Sequence, residues 1–184
     1  MATPRSLPYT GDAPADRLLA DSPIALVIGM VLYQQVPVEK AFLGPAALQE
    51  RLGIPLDAKS IAEMDPAALE EIFRARPALH RFPANMAKRV QAVCAFVADV
   101  YGGDPSRLWL GVGSAAEVVR RMTELPGFGD YKARVYFGVL VKRLGVAPPG
   151  WQEMVPDWPS IADVEKVEDL DDLKARKKAW KEGG

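Results

Sequence analysis

Leu125-Pro126-Gly127-Phe128-Gly129, set between two segments of helical periodicity, constrains this 184-residue chain more tightly than any other stretch. An apolar residue, a proline and two glycines two positions apart specify a tight hairpin with bared backbone, and the next helix opens at once at Asp130. The amides of such a helix start point outward and carry partial positive charge, which suits a phosphate.

The rest of the chain reads as helices with clear punctuation. Ser22-Pro23 puts a capping hydroxyl before a proline at the first helical position, and the apolar run Ile24 to Tyr33 that follows predicts a helix buried on most sides. Pro37 opens a second helix toward Arg51, bent at Gly44-Pro45 and ended by Gly53. Ser60 with Glu63 spells a capping box, and Asp65-Pro66 caps a short helix ending near Arg74. After Pro83, Met86, Val90, Val93, Cys94 and Val97 recur at helical spacing up to Tyr101, before Gly102-Gly103. Ser114 caps Ala115 to Glu124; beyond the hairpin, Asp130 to Leu144 forms the second motif helix, ended by Gly145. Pro148-Pro149-Gly150 forces a loop, and 160–163 and Leu173 to Lys181 suggest closing helices. No alternating stretch reads as a strand, so the expected class is all-α. Residues 1–21 read as an N-terminal extension, 22–145 as a helical core containing the hairpin 125–129, and 146–184 as a C-terminal loop and helices packing on the N-terminal part.

Net charge near −1 argues against indiscriminate polyanion binding, but its distribution is uneven. Residues 72–98 hold Arg74, Arg76, Arg81, Lys88 and Arg89 with no acid, and residues 120–143 hold six cations against Glu124 and Asp130. On one face these would form a phosphate-binding stripe; on two faces they would be ordinary solvated helix surface. No window is long and apolar enough to span a bilayer, and residues 1–21 lack the pattern of a secretory signal. A cytoplasmic, nucleoid-associated protein is expected. The single cysteine, Cys94, allows no internal disulfide and no four-cysteine cluster, and it reads as a buried, inert thiol. One histidine and one cysteine do not make a metal-ligand set.

Several features in order and spacing resemble the helix-hairpin-helix (HhH-GPD) DNA glycosylase superfamily, in its endonuclease III and adenine-glycosylase branch, over roughly residues 15–145. The hairpin has the family's LPG-apolar-G spelling. Leu32-Tyr33-Gln34-Gln35 ends the apolar helix where that family carries a glutamine motif close to the DNA gap. The chain as a whole is similar to a small actinobacterial family of helix-hairpin-helix base-excision repair proteins, which shares Ala78-Leu79-His80-Arg81-Phe82-Pro83. The resemblance implies two helical lobes flanking a DNA-binding cleft and double-stranded DNA with a damaged or mismatched base as partner; the sequence leaves the oligomeric state open, with a monomer the expectation. DNA contacts then fall to Leu125, Pro126, Gly127, Phe128, Gly129, Lys132, Arg134, Gln34, Gln35, His80 and Arg81.

Bifunctional members of that superfamily carry a nucleophilic lysine two residues after the second hairpin glycine. Here that position is Tyr131, as in monofunctional members, and Lys132 is one residue along, rotated by about 100° on a helix. The resemblance therefore implies hydrolysis of a glycosidic bond rather than a Schiff-base lyase, with Tyr131 lining the pocket. Monofunctional members also carry an aspartate about eighteen residues further on, but counting from Tyr131 lands on Pro149, and Ala147 to Gln152 contains no carboxylate. Glu153 and Asp157 follow, with Glu153 the nearer candidate for that carboxylate, which in the family steadies the cationic sugar and helps activate water; its alternative is a solvated loop acid. No iron–sulfur cluster and no other cofactor is expected.

Other residues carry two readings each. Gln35 either fills the space left by an extruded base, its amide pairing with the orphan partner base, or caps its own helix. His80 either meets phosphate or moves a proton near neutral pH, or packs in the core with a satisfied nitrogen. Tyr33, Phe82 and Tyr131 either stack on a flipped base or belong to the core. For the whole chain, the leading reading is a monofunctional DNA N-glycosylase. A non-catalytic DNA-lesion or DNA-structure binding module is the alternative, and a helical interaction protein whose LPGFG is only a turn comes third.

Overall fold

The computed structural model describes residues 5–184, and every regular element among them is helical. In chain order these are α1 (Ala13–Asp21), α2 (Pro23–Leu32), α3 (Val38–Leu52), α4 (Ala58–Glu63), α5 (Pro66–Arg74), α6 (Pro83–Tyr101), α7 (Ala115–Thr123), α8 (Asp130–Leu144), α9 (Trp151–Met154) and α10 (Asp169–Gly183). Short 3-10 turns lie at Pro105–Leu108 and Ile161–Asp163.

Helix α2 is the axis of the molecule. Ser22 Oγ accepts the amide of Ala25, Pro23 occupies the first turn, and every residue from Ile24 to Leu32 is buried. A helix apolar on all sides needs neighbours on all sides, and α2 has them in α1, α3 and α6. The approach of α3 is close: a Cβ on Gly29 would stand 2.6 Å from the ring of Phe42. Helices α4 and α5 lie on α6, whose Gln91 amide donates to the carbonyls of Ile61 and Met64. Arg51, from α3, donates to the carbonyls of Ile72, Ala75 and Pro77 and so satisfies the open end of α5.

On the other side of α2, α7 and α8 form the helical pair that flanks the hairpin, and the turn at 161–163 seats on α8. Gly138 makes that seat possible, because a Cβ there would meet Pro156 at 2.9 Å and Ala162 at 3.1 Å. Tyr9 is fully buried and donates through its hydroxyl to the carbonyl of Ile161. Lys174 of α10 faces Glu39 of α3, and Lys177 donates to the hydroxyl of Tyr33. The C-terminal segment thus bridges α8 to the N-terminal half.

Several local expectations are corrected. Residues 1–4 of the expected N-terminal extension lie outside the described residues, and the rest is not mere extension: Asp12 caps Ala15 and starts α1, which packs on α2 and α3. The α4 cap is Asp57, which accepts from both the amide and the hydroxyl of Ser60; Ser60 is inside the helix. Helix α10 begins at Asp169, four residues before the expected Leu173. Cys94 is fully buried on α6, and burial pushes its thiol up to about 12.

Candidate nucleic-acid interface

The hairpin is built from side chains that point in and glycines that face out. Leu125 and Phe128 are buried, Phe128 against Tyr136, and the Phe128 amide donates to the Leu125 carbonyl at 3.0 Å. Gly127 takes φ +80°, the left-handed region that a side chain strains, while Gly129 is extended and begins α8 with no side-chain cap. A Cβ on either glycine would meet nothing within 4 Å. Phosphate can therefore approach the backbone here, whereas Leu125 and Phe128 fix the turn instead of offering side chains to DNA. Pro126 is half-buried between them.

Behind the hairpin, the end of α2 and the start of α8 enclose a cavity of about 220 Å3, smaller than the roughly 300–1,000 Å3 clefts that take larger ligands. Met30, Tyr33, Gln34 and Gln35 form one wall, and Tyr131, Lys132 and Val135 the second. Ser160 and Lys177 close it from the C-terminal segment. Both Tyr131 and Lys132 reach the cavity: the step along the helix does not take Lys132 out of it. Tyr131 is 54% exposed and lies flat on Trp158, with centroids 5.2 Å apart and planes 14° from parallel. Lys132 Nζ sits 5.2 Å from the centre of the Phe128 ring. Burial, with help from the neighbouring guanidinium of Arg89, pulls its ammonium down to about 8.

The glutamine turn is held from beneath. Gln34 donates through Nε2 to the Val31 carbonyl and accepts Arg89 on Oε1 at 2.8 Å. Gln35 is exposed at φ +58°, the only residue other than glycine at positive φ among the described residues. Non-glycine residues hold that conformation only where the surroundings impose it, and such strain gathers at functional sites. The imposing group is His80. It is 1% exposed, its Nε2 lies 3.1 Å from the Leu32 carbonyl and 3.0 Å from that of Gln34, and its Nδ1 accepts the Phe82 amide. That set fixes Nε2–H as donor on a neutral ring. His80 is thus enclosed behind the turn and cannot reach a phosphate; burial pushes its pKa down against the pull of the two carbonyls.

The two basic stretches differ in what they leave free. In the second, Arg120 pairs with Glu117 and Glu124, Arg121 with Glu117, Arg134 with Asp130, Lys142 with Asp163 and Arg143 with Glu165. In the first, only Arg74 is paired, with Glu70. Among the described residues, Arg76, Arg81, Lys88, Arg89 and Lys132 make no ion pair. Arg81 is exposed, its guanidinium over Phe82, whereas Arg134 also leans on the carbonyl of Glu153. Glu153 itself stands on α9 with an exposed side chain and does not line the cavity. The expected catalytic carboxylate is thus not brought to the site, and no Asp or Glu lines it.

A larger groove, about 720 Å3, runs between α1, α3 and residues 77–79. Its cations are already engaged, Lys40 on the Ala78 carbonyl and Arg51 at the end of α5. The smaller cavity instead joins the glutamine turn, the first turn of α8 after the hairpin, and Lys132, with Arg89 close by.

A helical protein that presents a bare hairpin backbone beside a half-open cavity falls in the class of helix-hairpin-helix DNA-binding proteins. Residues 28–150 match the family described as HhH-GPD superfamily base excision DNA repair protein, and the chain belongs to that family. No curated protein and no solved structure matches it. The match ends before Ser160 and Lys177, so one wall of the cavity comes from outside the matched residues. No helix is long and apolar enough to cross a membrane, among the described residues.

Proposed function

We propose that this protein binds duplex DNA, extrudes one damaged or mismatched nucleotide into the cavity between α2 and α8, and hydrolyses its N-glycosidic bond without cutting the strand. The observation that carries this reading is the cavity itself, which unites Gln34, Gln35, Tyr131 and Lys132 directly behind the hairpin. The amides of the hairpin and of the first turn of α8, with Arg81, Lys88 and Arg89, hold phosphates and set the register. Gln35, exposed at the rim, enters the gap in the duplex, while Tyr131 and Tyr33 border the extruded base. Tyr131 at the position of the family's nucleophilic lysine supports hydrolysis over a lyase.

One observation favours a second reading. No carboxylate lines the cavity, so nothing of that type is in place to steady the cationic sugar. A lesion-recognition module that binds an extruded nucleotide and leaves its bond intact needs no such group.

Mass spectrometry of bases released from duplexes with alkylated, deaminated, oxidised and mismatched targets, with abasic-analogue binding in parallel, separates the two. A freed base with an uncut strand is the expected result. Tight abasic-analogue binding with no freed base establishes the recognition module, and no preference for damaged over intact duplex at low salt refutes both.

A further inference from the structure

Apart from Gln35 and Tyr131, both exposed at the rim, the polar side chains of the cavity offer a guest donors. Lys132 brings an ammonium with no hydrogen bond or ion pair among the described residues, and Lys177 brings a second with only one N–H spent, on Tyr33. Because the Tyr33 oxygen accepts from Lys177, its own hydrogen is free to point at a guest, and burial first, then Glu39, pushes its pKa up to about 12, so it stays protonated. Ser160 Oγ accepts the Ala162 amide and likewise keeps its hydrogen. Facing these donors, the lining contains no carboxylate, and the Gln34 oxygen is already taken by Arg89.

A guest in such a site must supply acceptors, since each buried donor left unpaired costs free energy. It also cannot be a cation, because two ammonium groups in a low-dielectric cavity repel one. Resting on the reading that the cavity receives an extruded base, we infer that this protein selects bases whose free edge presents carbonyl oxygens, as deaminated and oxidised bases do, and rejects cationic N-alkylated bases. The same donors suit the bond-breaking step. When the glycosidic C–N bond breaks, its electron pair leaves with the base, and in a keto base that charge spreads onto the carbonyl oxygens. Lys132 and Lys177 then hold an anion, a water oxygen bonds to C1′, and the water proton passes to solvent or to the departed base. Preorganised donors at the place where charge develops are an effective source of rate enhancement. Here they act on the leaving group, where no carboxylate is placed to act on the sugar.

The test compares three duplexes of one sequence, binding the full chain: an abasic analogue, uracil opposite guanine, and 1-methyladenine opposite thymine. The target nucleotides in the last two carry a hydrolysis-resistant 2′-fluoro sugar, so that affinity alone is read. Wild type should prefer uracil over 1-methyladenine by about tenfold or more. Lys132→Met and Lys177→Met should each remove most of that preference, read as the ratio of the two affinities for each variant, while circular dichroism and thermal unfolding show that the variants are folded. Equal or tighter binding of 1-methyladenine by wild type overturns the inference, as does a Lys132→Met/Lys177→Met double variant that keeps the preference. Failure to bind even the abasic analogue defeats the base-extrusion reading on which the inference rests.

Discussion

His80 shows how a single residue shapes the interface without touching DNA. Its ring ties the Leu32 and Gln34 carbonyls to the Phe82 amide, and protonating Nδ1 would set two donors against each other. Its folded pKa is lowered from 6.5, so the unfolded chain takes up the proton first. Stability should be flat above about pH 6.5 and fall as pH drops below it. Urea titrations at pH 5.5 and 7.5 should show this step in wild type and not in His80→Gln, which should also be less stable at pH 7.5 by about 1–3 kcal/mol. Lys132 has the opposite arrangement in charge. Its cavity neighbours are Tyr33, Tyr131 and Lys177, with Arg89 close by, and none of these is an acid. With the folded pKa lowered to about 8 from the ordinary lysine value of 10.5, native stability should climb as pH rises from 8 toward 10.5. At pH 7, Lys132→Met should be the more stable protein by roughly 1–2 kcal/mol after allowing for solvent at the cavity mouth, and the advantage should fade by pH 10.5. Neither role can be read from the chain alone. A lone histidine before Arg81-Phe82 suits a core residue or a surface ligand equally, and only the approach of the α2 carbonyls decides. For Lys132, a rotation of about 100° from Tyr131 predicts a side chain turned away from the pocket, yet a long side chain at the first turn of α8 reaches inward as Tyr131 leans over toward Trp158.

At the scale of elements, the hairpin divides its work between inward side chains and outward glycines, and the two glycines can be separated. Gly127→Ala forces a side chain to φ +80° and should cost about 1 kcal/mol of stability. Gly129→Ala meets open space at an ordinary φ, so it should leave stability within about 0.5 kcal/mol. If DNA backbone packs against this turn, Gly129→Ala should nevertheless weaken duplex binding; unchanged affinity would place the DNA elsewhere. The contact of α2 with α3 is the corresponding test of the scaffold, since Gly29→Ala drives a methyl into the Phe42 ring and should cost about 1–3 kcal/mol in denaturant unfolding. The helices around these sites were legible because their signals are local: the cap and proline before α2, the glycines after α3, α6 and α8, the hairpin spelling itself. Helix α1 was missed because Asp12 and Pro14 give the only start signal, ahead of a short run whose apolar face is completed by α2 and α3. The third wall of the cavity was illegible for a different reason. Ser160 and Lys177 reach it only because the chain turns back over α8, past Gly138, and no local pattern encodes that return.

The molecule as a whole carries far less free positive charge than its sequence suggests. Eleven cations fall in the two basic stretches, but ion pairs occupy all of the second set except Lys132. Lys132 lines the cavity, which leaves Arg81, Lys88 and Arg89 as the phosphate contacts proposed above. The slope of log affinity against log salt should therefore be about −3, not the roughly −10 of eleven engaged cations, in fluorescence anisotropy between about 50 and 200 mM salt. A shallow slope matches a protein that holds a few phosphates firmly around one extruded nucleotide. The most direct view of this site comes from a crystal structure of the chain bound to a duplex with a hydrolysis-resistant uracil nucleotide opposite guanine. The uracil should lie in the cavity between Tyr33 and Lys132, with Gln35 in the gap and a phosphate on the amides of the hairpin. A uracil still stacked in the duplex, or DNA lying on another face of the molecule, would contradict it.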